Sequence, residues 1–419
     1  MARIFLGWGR KTLKITVTVG KPKLSKGPSF EKLMQLGTEG SGFSPNYIDP
    51  DDPAAIVFTS GSTGPPKGVI YTNRIFVSQV ELLRDQFGIK SGEINLATFP
   101  LFGLFDPALG VTTVFPKMNF TKPSQVDPFE IIKTIDRHNV THMFGSPALI
   151  DRVGRYGEAH SVKLMSLRRV LSAGAPVSKL VLKRFSQLLP QGAEIHTPYG
   201  ATEALPVCSI SGLELQVESG PDQGKGVCVG KPIPGVQLAV IQISDDPIER
   251  WNDELMLSCG EIGELVVWGP NVSVEYLRRP RANLLAKIRA EKGEVRHRMG
   301  DCGYIDKKGK VWFCGRKSQR VITAHGTLFT VNCEVIFNQH PQVFRSALVG
   351  IGKVLNQNPI LCVELEDKKR WRGSAQLSQE ILSLGARHPE TREIKTLLFH
   401  YSFPVDVRHN AKIFREKLA

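Results

Sequence analysis

The chain of 419 residues lacks any apolar run near the roughly 20 residues that a helix needs to cross a bilayer. Its N-terminus also lacks a sustained apolar core followed by a small-residue cleavage site. It contains no internal repeat and no low-complexity tract. With 41% hydrophobic and 22% charged residues, the sequence predicts a globular, cytoplasmic protein that is large enough for two or more domains.

Cysteine is sparse and follows no pattern. The seven cysteines are odd in number and scattered, and no two of them form a Cys-x-x-Cys pair. This distribution argues against a disulfide framework and against a zinc site. We expect buried or free thiols.

Acidic residues are absent from the first 30 positions, which carry seven basic residues. The formal net charge of the chain is +14, but beyond this segment the positive residues are dispersed among acids. We therefore predict no nucleic-acid partner. A basic segment interleaved with apolar residues fits docking on a membrane or partner, or a solvated helix and strand. We expect the solvated form, with at most peripheral membrane contact.

The clearest pattern that is present is a loop rich in hydroxyl groups and glycine, which follows the apolar run 54–58. We predict that this run is a buried strand. Glycine lets consecutive N–H groups converge on an anion, so the expected ligand is a polyphosphate. The spacing differs from the Walker P-loop, because prolines occupy the stretch where that motif is required. The predicted phosphate-binding residues are Thr59, Ser60, Gly61, Ser62, Thr63, Gly64 and Lys67.

Strand-like and helical segments alternate from this loop to about residue 310, which predicts an α/β fold. The pattern predicts a helix over 70–87, a strand over 94–99, a helix over 128–138 and a strand over 142–144. Short apolar runs near 266–269 and 310–313, separated by turns, predict a β-rich subdomain. The last hundred residues are predicted to form a small α+β domain.

The loop sequence Thr-Ser-Gly-Ser-Thr-Gly-Pro-Pro-Lys-Gly closely resembles the phosphate loop of the adenylate-forming superfamily of acyl-CoA synthetases, luciferases and adenylation domains. Later motifs follow in the family's order: Tyr199-Gly200-Ala201-Thr202-Glu203, then 298–301, then Gly315-Arg316. The resemblance implies ATP and Mg²⁺ as cofactors. It also implies an AMP-binding domain over residues 1–317 and a mobile lid domain over 318–419, with the hinge at Ser318.

The resemblance further implies a role for each matched residue. Glu203 would bind Mg²⁺ and Thr202 would contact phosphate, which makes both catalytic candidates. Asp301 would accept hydrogen bonds from the ribose hydroxyls, as a carboxylate with two acceptor oxygens can. Arg316 would position the nucleotide, with a surface salt bridge as the alternative. The adenine would lie against Tyr199, Gly200, Gly174, Ala175 and Pro176.

Lys412 occupies the position of the superfamily's catalytic lysine near the C-terminus. Such a lysine would stabilise the charge that develops at the α-phosphate during adenylation. Ala411 stands where the family usually has glycine, so an ordinary surface lysine is the alternative.

Within the superfamily, the segments 99–110, 145–149 and 408–419 resemble the β-lactone synthetases of olefin biosynthesis. This resemblance implies ATP-dependent adenylation of a 2-alkyl-3-hydroxy fatty acid, followed by closure to a β-lactone with release of AMP and without coenzyme A. It also implies association with other olefin-pathway enzymes. A fatty acyl-CoA synthetase or acyl-AMP ligase is the alternative. Because only about 55 residues precede the phosphate loop, we expect an N-terminally truncated chain, for which an inactive fragment is a third reading.

Overall fold

The computed structural model describes residues 9, 11–20, 27–40, 47–59, 65–218, 224–406 and 412–419, apart from the side chain of Lys292. The chain separates into two compact units, Met1–Asp49 and Pro50–Ala419. In the first unit, helix α1 (Phe30–Glu39) is capped by Ser29, whose hydroxyl accepts a hydrogen bond from the Lys32 amide at 3.2 Å. Within the basic segment, residues 11–20 form no helix and α1 begins at its last residue, Phe30; residues 1–8, 10 and 21–26 lie outside the described residues.

The second unit begins with a two-stranded antiparallel sheet of β1 (Pro53–Phe58) and β2 (Gly68–Thr72), which flank the phosphate loop. The predicted strand over 54–58 is confirmed, but its predicted burial is wrong, because Phe58 is 62% exposed. Only Ala55 and Val57 pack on a core, because successive side chains of a strand point to opposite faces and the face with Ile56 and Phe58 is exposed. The helix predicted over 70–87 starts late, at the first residue of α2 (Asn73–Phe87), because its first residues pair with β1.

Five parallel strands form one half of a twelve-stranded sheet in the order β7-β6-β5-β3-β4. They are β3 (Ile94–Ala97), β4 (Thr112–Val114), β5 (His142–Phe144), β6 (Arg169–Leu171) and β7 (Glu194–Ala201). The helices between them are α3 (Asp106–Leu109), α4 (Pro128–His138), α5 (Pro147–Ala159) and α6 (Lys179–Ser186). The predictions for 128–138 and 142–144 are confirmed. The strand predicted over 94–99 ends at Ala97, because a 3-10 helix follows at Pro100–Leu104.

Local sequence explains the best-predicted helix. Asp127 caps α4 by accepting a hydrogen bond from the Phe129 amide at 3.0 Å, and Pro128 occupies the first helical position. Asn139 ends the helix with a left-handed backbone. The buried face of α4 carries isoleucines at helical spacing and packs on the parallel sheet, in a core that also contains Leu96, Met143, Val170 and Phe185.

The other half of the large sheet is antiparallel, in the order β10-β11-β13-β14-β9-β8, and β8 pairs with β7. Its strands are β8 (Ala204–Ser211), β9 (Val227–Pro232), β10 (Gln237–Ile241), β11 (Gly263–Trp268), β12 (Lys287–Arg289), β13 (Val295–Ile305) and β14 (Val311–Arg316). Two helices accompany it, α7 (Gly212–Glu218) and α8 (Pro280–Ala286). The predicted β-rich character of this region is confirmed.

After β14 come a short hairpin, β15 (Val321–Thr323) with β16 (Gly326–Leu328), and a three-stranded sheet of β17 (Val343–Ile351), β18 (Asn358–Leu365) and β19 (Thr396–Phe399). The helices α9 (Thr330–Phe337) and α10 (Ala375–Ala386) cover this sheet and share its separate core. The fold is therefore mixed α/β, with one large sheet and a smaller C-terminal β-rich part. All seven cysteines are free thiols, and six of them are buried.

In the part of the chain that the structure describes, no helix is both long and apolar enough to cross a membrane.

Candidate active site

The carboxyl ends of the parallel strands meet at one edge of the large sheet, and the predicted residues 174–176 and 199–203 lie there. The motif 199–203 spans the end of β7 and the turn into β8. This turn is fixed from outside: the Tyr71 hydroxyl donates to the Thr202 carbonyl at 2.6 Å, and the Ser273 amide donates to the Glu203 carbonyl at 2.9 Å. The loop 174–176 follows the neighbouring strand β6, and Gly174 has a positive φ of 97° there.

Tyr199, Asp301 and Arg316 form the Asp301 cluster. Asp301 on β13 and Arg316 on β14 are cross-strand partners, which puts Arg316 Nη1 2.9 Å from Asp301 Oδ1. The Tyr199 hydroxyl donates to the other oxygen, Oδ2, at 2.7 Å. Burial raises the pKa of the Asp301 carboxyl above its usual value, and Arg316 and the Tyr199 hydrogen bond oppose this rise only in part. Burial also keeps the pKa of Tyr199 well above its usual value, so its hydroxyl remains a donor.

Asp301 Oδ1 is buried and accepts no hydrogen bond from the described residues, because the nearby Arg316 contact is an ion pair without hydrogen-bond geometry. The ion pair with Arg316 offsets the charge of this oxygen, but its lone pairs accept no hydrogen bond from the described residues and can take one from a ligand. Asp301 therefore has the capacity to accept a hydrogen bond from a bound hydroxyl group.

Lys67, Glu203, Tyr276, Ser273 and Lys287 form the Glu203 cluster. The Tyr276 hydroxyl donates to Glu203 Oε1 at 2.6 Å, and Lys67 Nζ lies 3.4 Å from the same hydroxyl. Lys67 Nζ is also 4.4 Å from the centre of the Tyr276 ring, within the range of a cation–π contact. Burial raises the pKa of Tyr276, so this hydroxyl too stays protonated and donates.

Lys67 also closes the base of the phosphate loop. The Thr59 amide donates to the Lys67 carbonyl at 3.0 Å, and the Lys67 amide donates to Thr59 Oγ1 at 3.1 Å. These bonds join the two ends of the loop between β1 and β2. The other predicted phosphate-binding residues, Ser60, Gly61, Ser62, Thr63 and Gly64, lie outside the described residues.

Lys412 is near both clusters. Burial lowers the pKa of its ammonium group, and the Arg316 guanidinium adds to this shift, whereas Asp301 and Glu203 oppose it. Its carbonyl accepts a hydrogen bond from the Asp406 amide at 2.9 Å, next to a β-bridge between residues 405 and 413. The lysine is thus anchored on the C-terminal part of the chain while its charge acts on groups of the large sheet.

Sequence reasoning missed Tyr276, Ser273 and Lys287. They lie about 70 to 84 positions after Glu203, in a segment that the motifs do not cover. Tyr276 is 1% exposed and Lys287 8% exposed, so both look like core positions by pattern. The one available signal was the charge of Lys287 within the apolar run Leu284–Ile288, since lysine is rarely buried without a partner.

A family model described as "AMP-binding enzyme" matches residues 10–277. The chain therefore belongs to the family of AMP-binding enzymes, and it is an enzyme of the AMP-forming ligase class. Adenylate-forming enzymes use ATP as their substrate.

The chain is 45% identical to an olefin β-lactone synthetase of Xanthomonas campestris pv. campestris over 424 aligned residues, which cover 100% of this chain and 75% of that protein. Two solved structures share the fold. An amide bond synthetase from Marinactinospora thermotolerans has a TM-score of 0.77 at 21% identity, covering 100% of this chain and 77% of the other. An O-succinylbenzoate coenzyme A synthetase from Bacillus subtilis, in complex with ATP and magnesium ion, has a TM-score of 0.73 at 20% identity, covering 96% and 78%.

Proposed function

We propose that this enzyme adenylates a 2-alkyl-3-hydroxy fatty acid with ATP and closes the acyl adenylate to a β-lactone. The observation that carries the proposal is the 45% identity, along the whole chain, with an olefin β-lactone synthetase. The two charged clusters supply what adenylation needs, which is positive charge around a polyphosphate and a buried carboxylate for a hydroxyl-bearing ligand.

In the first step, a carboxylate oxygen of the fatty acid attacks the α-phosphorus of ATP, the bond to the β-phosphate breaks, and pyrophosphate leaves. Negative charge grows at the α-phosphate as this happens. Lys412 stabilises that charge, with Thr202 contacting phosphate, while Lys67 and the loop 59–64 bind the outer phosphates. The carboxylate of Asp301 binds the ribose hydroxyls through its free acceptor capacity, and Arg316 holds it in place.

Mg²⁺ fits the Glu203 cluster. Tyr276 takes one carboxylate oxygen, and a carboxylate can bind a cation through the other. Among the described residues no group of three or more His, Cys, Asp or Glu could hold a metal ion, so phosphate oxygens and water would complete the coordination shell. When bound, Mg²⁺ would neutralise phosphate charge. The residue that would hold it is Glu203, oriented by Tyr276 and by the Ser273 amide.

In the second step, the substrate's 3-hydroxyl oxygen attacks its own acyl carbon, the bond to AMP breaks, and the hydroxyl proton is lost as AMP departs. Holding the hydroxyl beside the activated carbonyl makes this step unimolecular, which favours it over attack by water. We further infer that residues 318–419 act as the lid that carries Lys412 over residues 1–317. The adenine contacts of Tyr199, Gly200, Gly174, Ala175 and Pro176 belong to the same proposal.

The test is an assay of the purified protein with ATP, Mg²⁺ and a 2-alkyl-3-hydroxy acid, with and without coenzyme A, following AMP and the organic product by mass spectrometry. We expect AMP and a β-lactone in equal amounts, independent of coenzyme A and lost in Lys412→Ala. A coenzyme A thioester would instead select an acyl-CoA ligase, and folded protein that releases no AMP would contradict the proposal. Cytoplasmic location, peripheral membrane contact and association with olefin-pathway enzymes stay predictions.

A further inference from the structure

The Glu203 cluster contains a buried lysine that the reaction outlined above does not use. Lys287 begins β12 and faces His297 across the ladder to β13. Its ammonium group donates to the Ser273 carbonyl and, at 3.0 Å, to Ser273 Oγ. The same ammonium lies 5.4 Å from the centre of the Tyr276 ring. Lys287 therefore contacts both ends of the segment 273–276.

That segment holds Glu203 at two points. Ser273, at one end, donates its amide to the Glu203 carbonyl at 2.9 Å. Tyr276, at the other end, donates its hydroxyl to Glu203 Oε1 at 2.6 Å. Asn283 on α8 fixes the main chain of Tyr276 from a third side, through a 2.7 Å bond to its amide. The main chain and the carboxylate of Glu203 are thus both oriented by a segment that Lys287 secures.

Burying a lysine at this position costs free energy that a residue with a purely space-filling role would avoid. Burial disfavours its charged form and lowers its pKa to about 7, although Glu203 opposes this shift and nearby Lys67 adds to it. Methionine would occupy a similar volume without that cost. What methionine lacks is the pair of hydrogen bonds to Ser273, whose carbonyl would otherwise be buried without this partner.

We propose that Lys287 is a positioning residue that holds the segment 273–276 so that Glu203 presents its carboxylate to the magnesium ion of the nucleotide. The proposal rests on the proposed function of Glu203 as the magnesium ligand. Lys287 itself touches neither metal nor substrate in this arrangement. Its effect is transmitted through Ser273 and Tyr276.

The test compares Lys287→Met with wild type in two measurements. The first is the Mg²⁺ concentration for half-maximal ATP–pyrophosphate exchange. The second is calorimetric binding of α,β-methylene-ATP with and without Mg²⁺, which needs no turnover. We expect the half-maximal Mg²⁺ concentration to rise about tenfold, which corresponds to one lost hydrogen bond to the segment, and the Mg²⁺-dependent gain in binding to shrink by a similar factor. Binding without Mg²⁺ should stay within about twofold.

Lys310→Met is the matched control, because Lys310 is also mostly buried and paired with acids, Glu214 and Glu218, outside both clusters. It should leave both Mg²⁺ measurements unchanged even where it lowers the melting temperature. Ser273→Ala removes one of the two acceptors and should shift the Mg²⁺ requirement in the same direction by a smaller factor. It tests the proposal independently if Lys287→Met does not fold.

The outcomes separate this inference from the proposed function. If Lys287→Met lowers the Mg²⁺ requirement, its charge merely repels the metal and the positioning role is wrong; an unchanged requirement would show a role in folding alone. Wild type that shows no Mg²⁺ effect on nucleotide binding would instead overturn the role of Glu203. A double-mutant cycle of Lys287→Met with Tyr276→Phe adds a further check. If Lys287 acts through Tyr276, the Mg²⁺ requirement of the double variant should rise by less than the product of the two single increases.

Discussion

The two clusters of the candidate active site are built differently. The Asp301 cluster is made of three residues that all lie in recognisable motifs, and two of them are direct cross-strand partners on β13 and β14. In the Glu203 cluster, only Lys67 and Glu203 lie in motifs. Of the other members, Ser273 and Tyr276 come from the segment 273–276, and Lys287 comes from β12.

Because of this difference, we expect substitutions in the two clusters to have different effects. A cross-strand pair is held by the sheet itself, so substitution of one member leaves the backbone in place. The Glu203 carboxylate depends on a turn whose position is set by hydrogen bonds from residues 70 or more positions away. We therefore expect variants of the Asp301 cluster to change nucleotide affinity, and variants of the Glu203 cluster to change how the enzyme responds to Mg²⁺.

The largest expected effect comes from Lys412, whose charge acts on both clusters. Lys412→Ala should lower kcat for adenylation by about 10²–10³-fold, because it removes a preorganised positive charge from the transition state. The measurement is ATP–pyrophosphate exchange with saturating substrate. Lys417→Ala is the control, since Lys417 is an exposed lysine on the same C-terminal segment. A loss below tenfold in Lys412→Ala would make it an ordinary surface lysine.

The next prediction separates the two clusters directly. Asp301→Asn keeps the shape of the side chain but removes its charge beside Arg316. It should weaken AMP binding, measured calorimetrically without Mg²⁺, by about 10–100-fold, the range for a lost hydrogen bond to a charged group. Glu203→Gln should leave AMP binding without Mg²⁺ within about threefold and raise the Mg²⁺ requirement of exchange. Equal effects of both variants on AMP binding would contradict the prediction that the Asp301 cluster sets nucleotide affinity and the Glu203 cluster sets the response to Mg²⁺.

Sequence predicted the outline of this molecule well where local signals and long-range packing agree. Helix α4 has a capping Asp127, a proline at its first position and isoleucines on one face, and its predicted limits are confirmed. The helix expected to start at residue 70 begins three residues later, at Asn73, because residues 70–72 belong to β2 and pair with β1. The burial expected for β1 also failed, since an apolar run cannot reveal that only one face of its sheet packs on a core.

The site shows the same limit. Motifs named Tyr199, Glu203, Asp301 and Arg316 as candidates, because each belongs to a run of neighbouring residues with a recognisable order. Lys287 and Tyr276 have no such neighbours. Their contacts with each other and with Glu203 join distant segments that only the folded chain brings together. The Tyr199 bond to Asp301 likewise joins two separate motifs, and neither motif alone predicts it.

The last prediction concerns stability alone and tests the burial of Lys287. Its pKa of about 7 in the folded chain lies below the ordinary 10.5, so between these values the unfolded chain binds more protons at this residue. The cost of burying the charge is fully present well below pH 7 and is relieved progressively as the pH rises from about 7 towards 10.5. The free energy of unfolding of the wild type should therefore increase with pH relative to Lys287→Met, by at most about 1.4 kcal/mol per pH unit. Urea titrations of both proteins at pH 7, 8 and 9 measure this difference, and the other titrating groups cancel in the comparison. A difference that stays constant or falls with pH would mean that Lys287 keeps its proton when buried. Its effect on the segment 273–276 would then be assigned to its charge rather than to its hydrogen bonds.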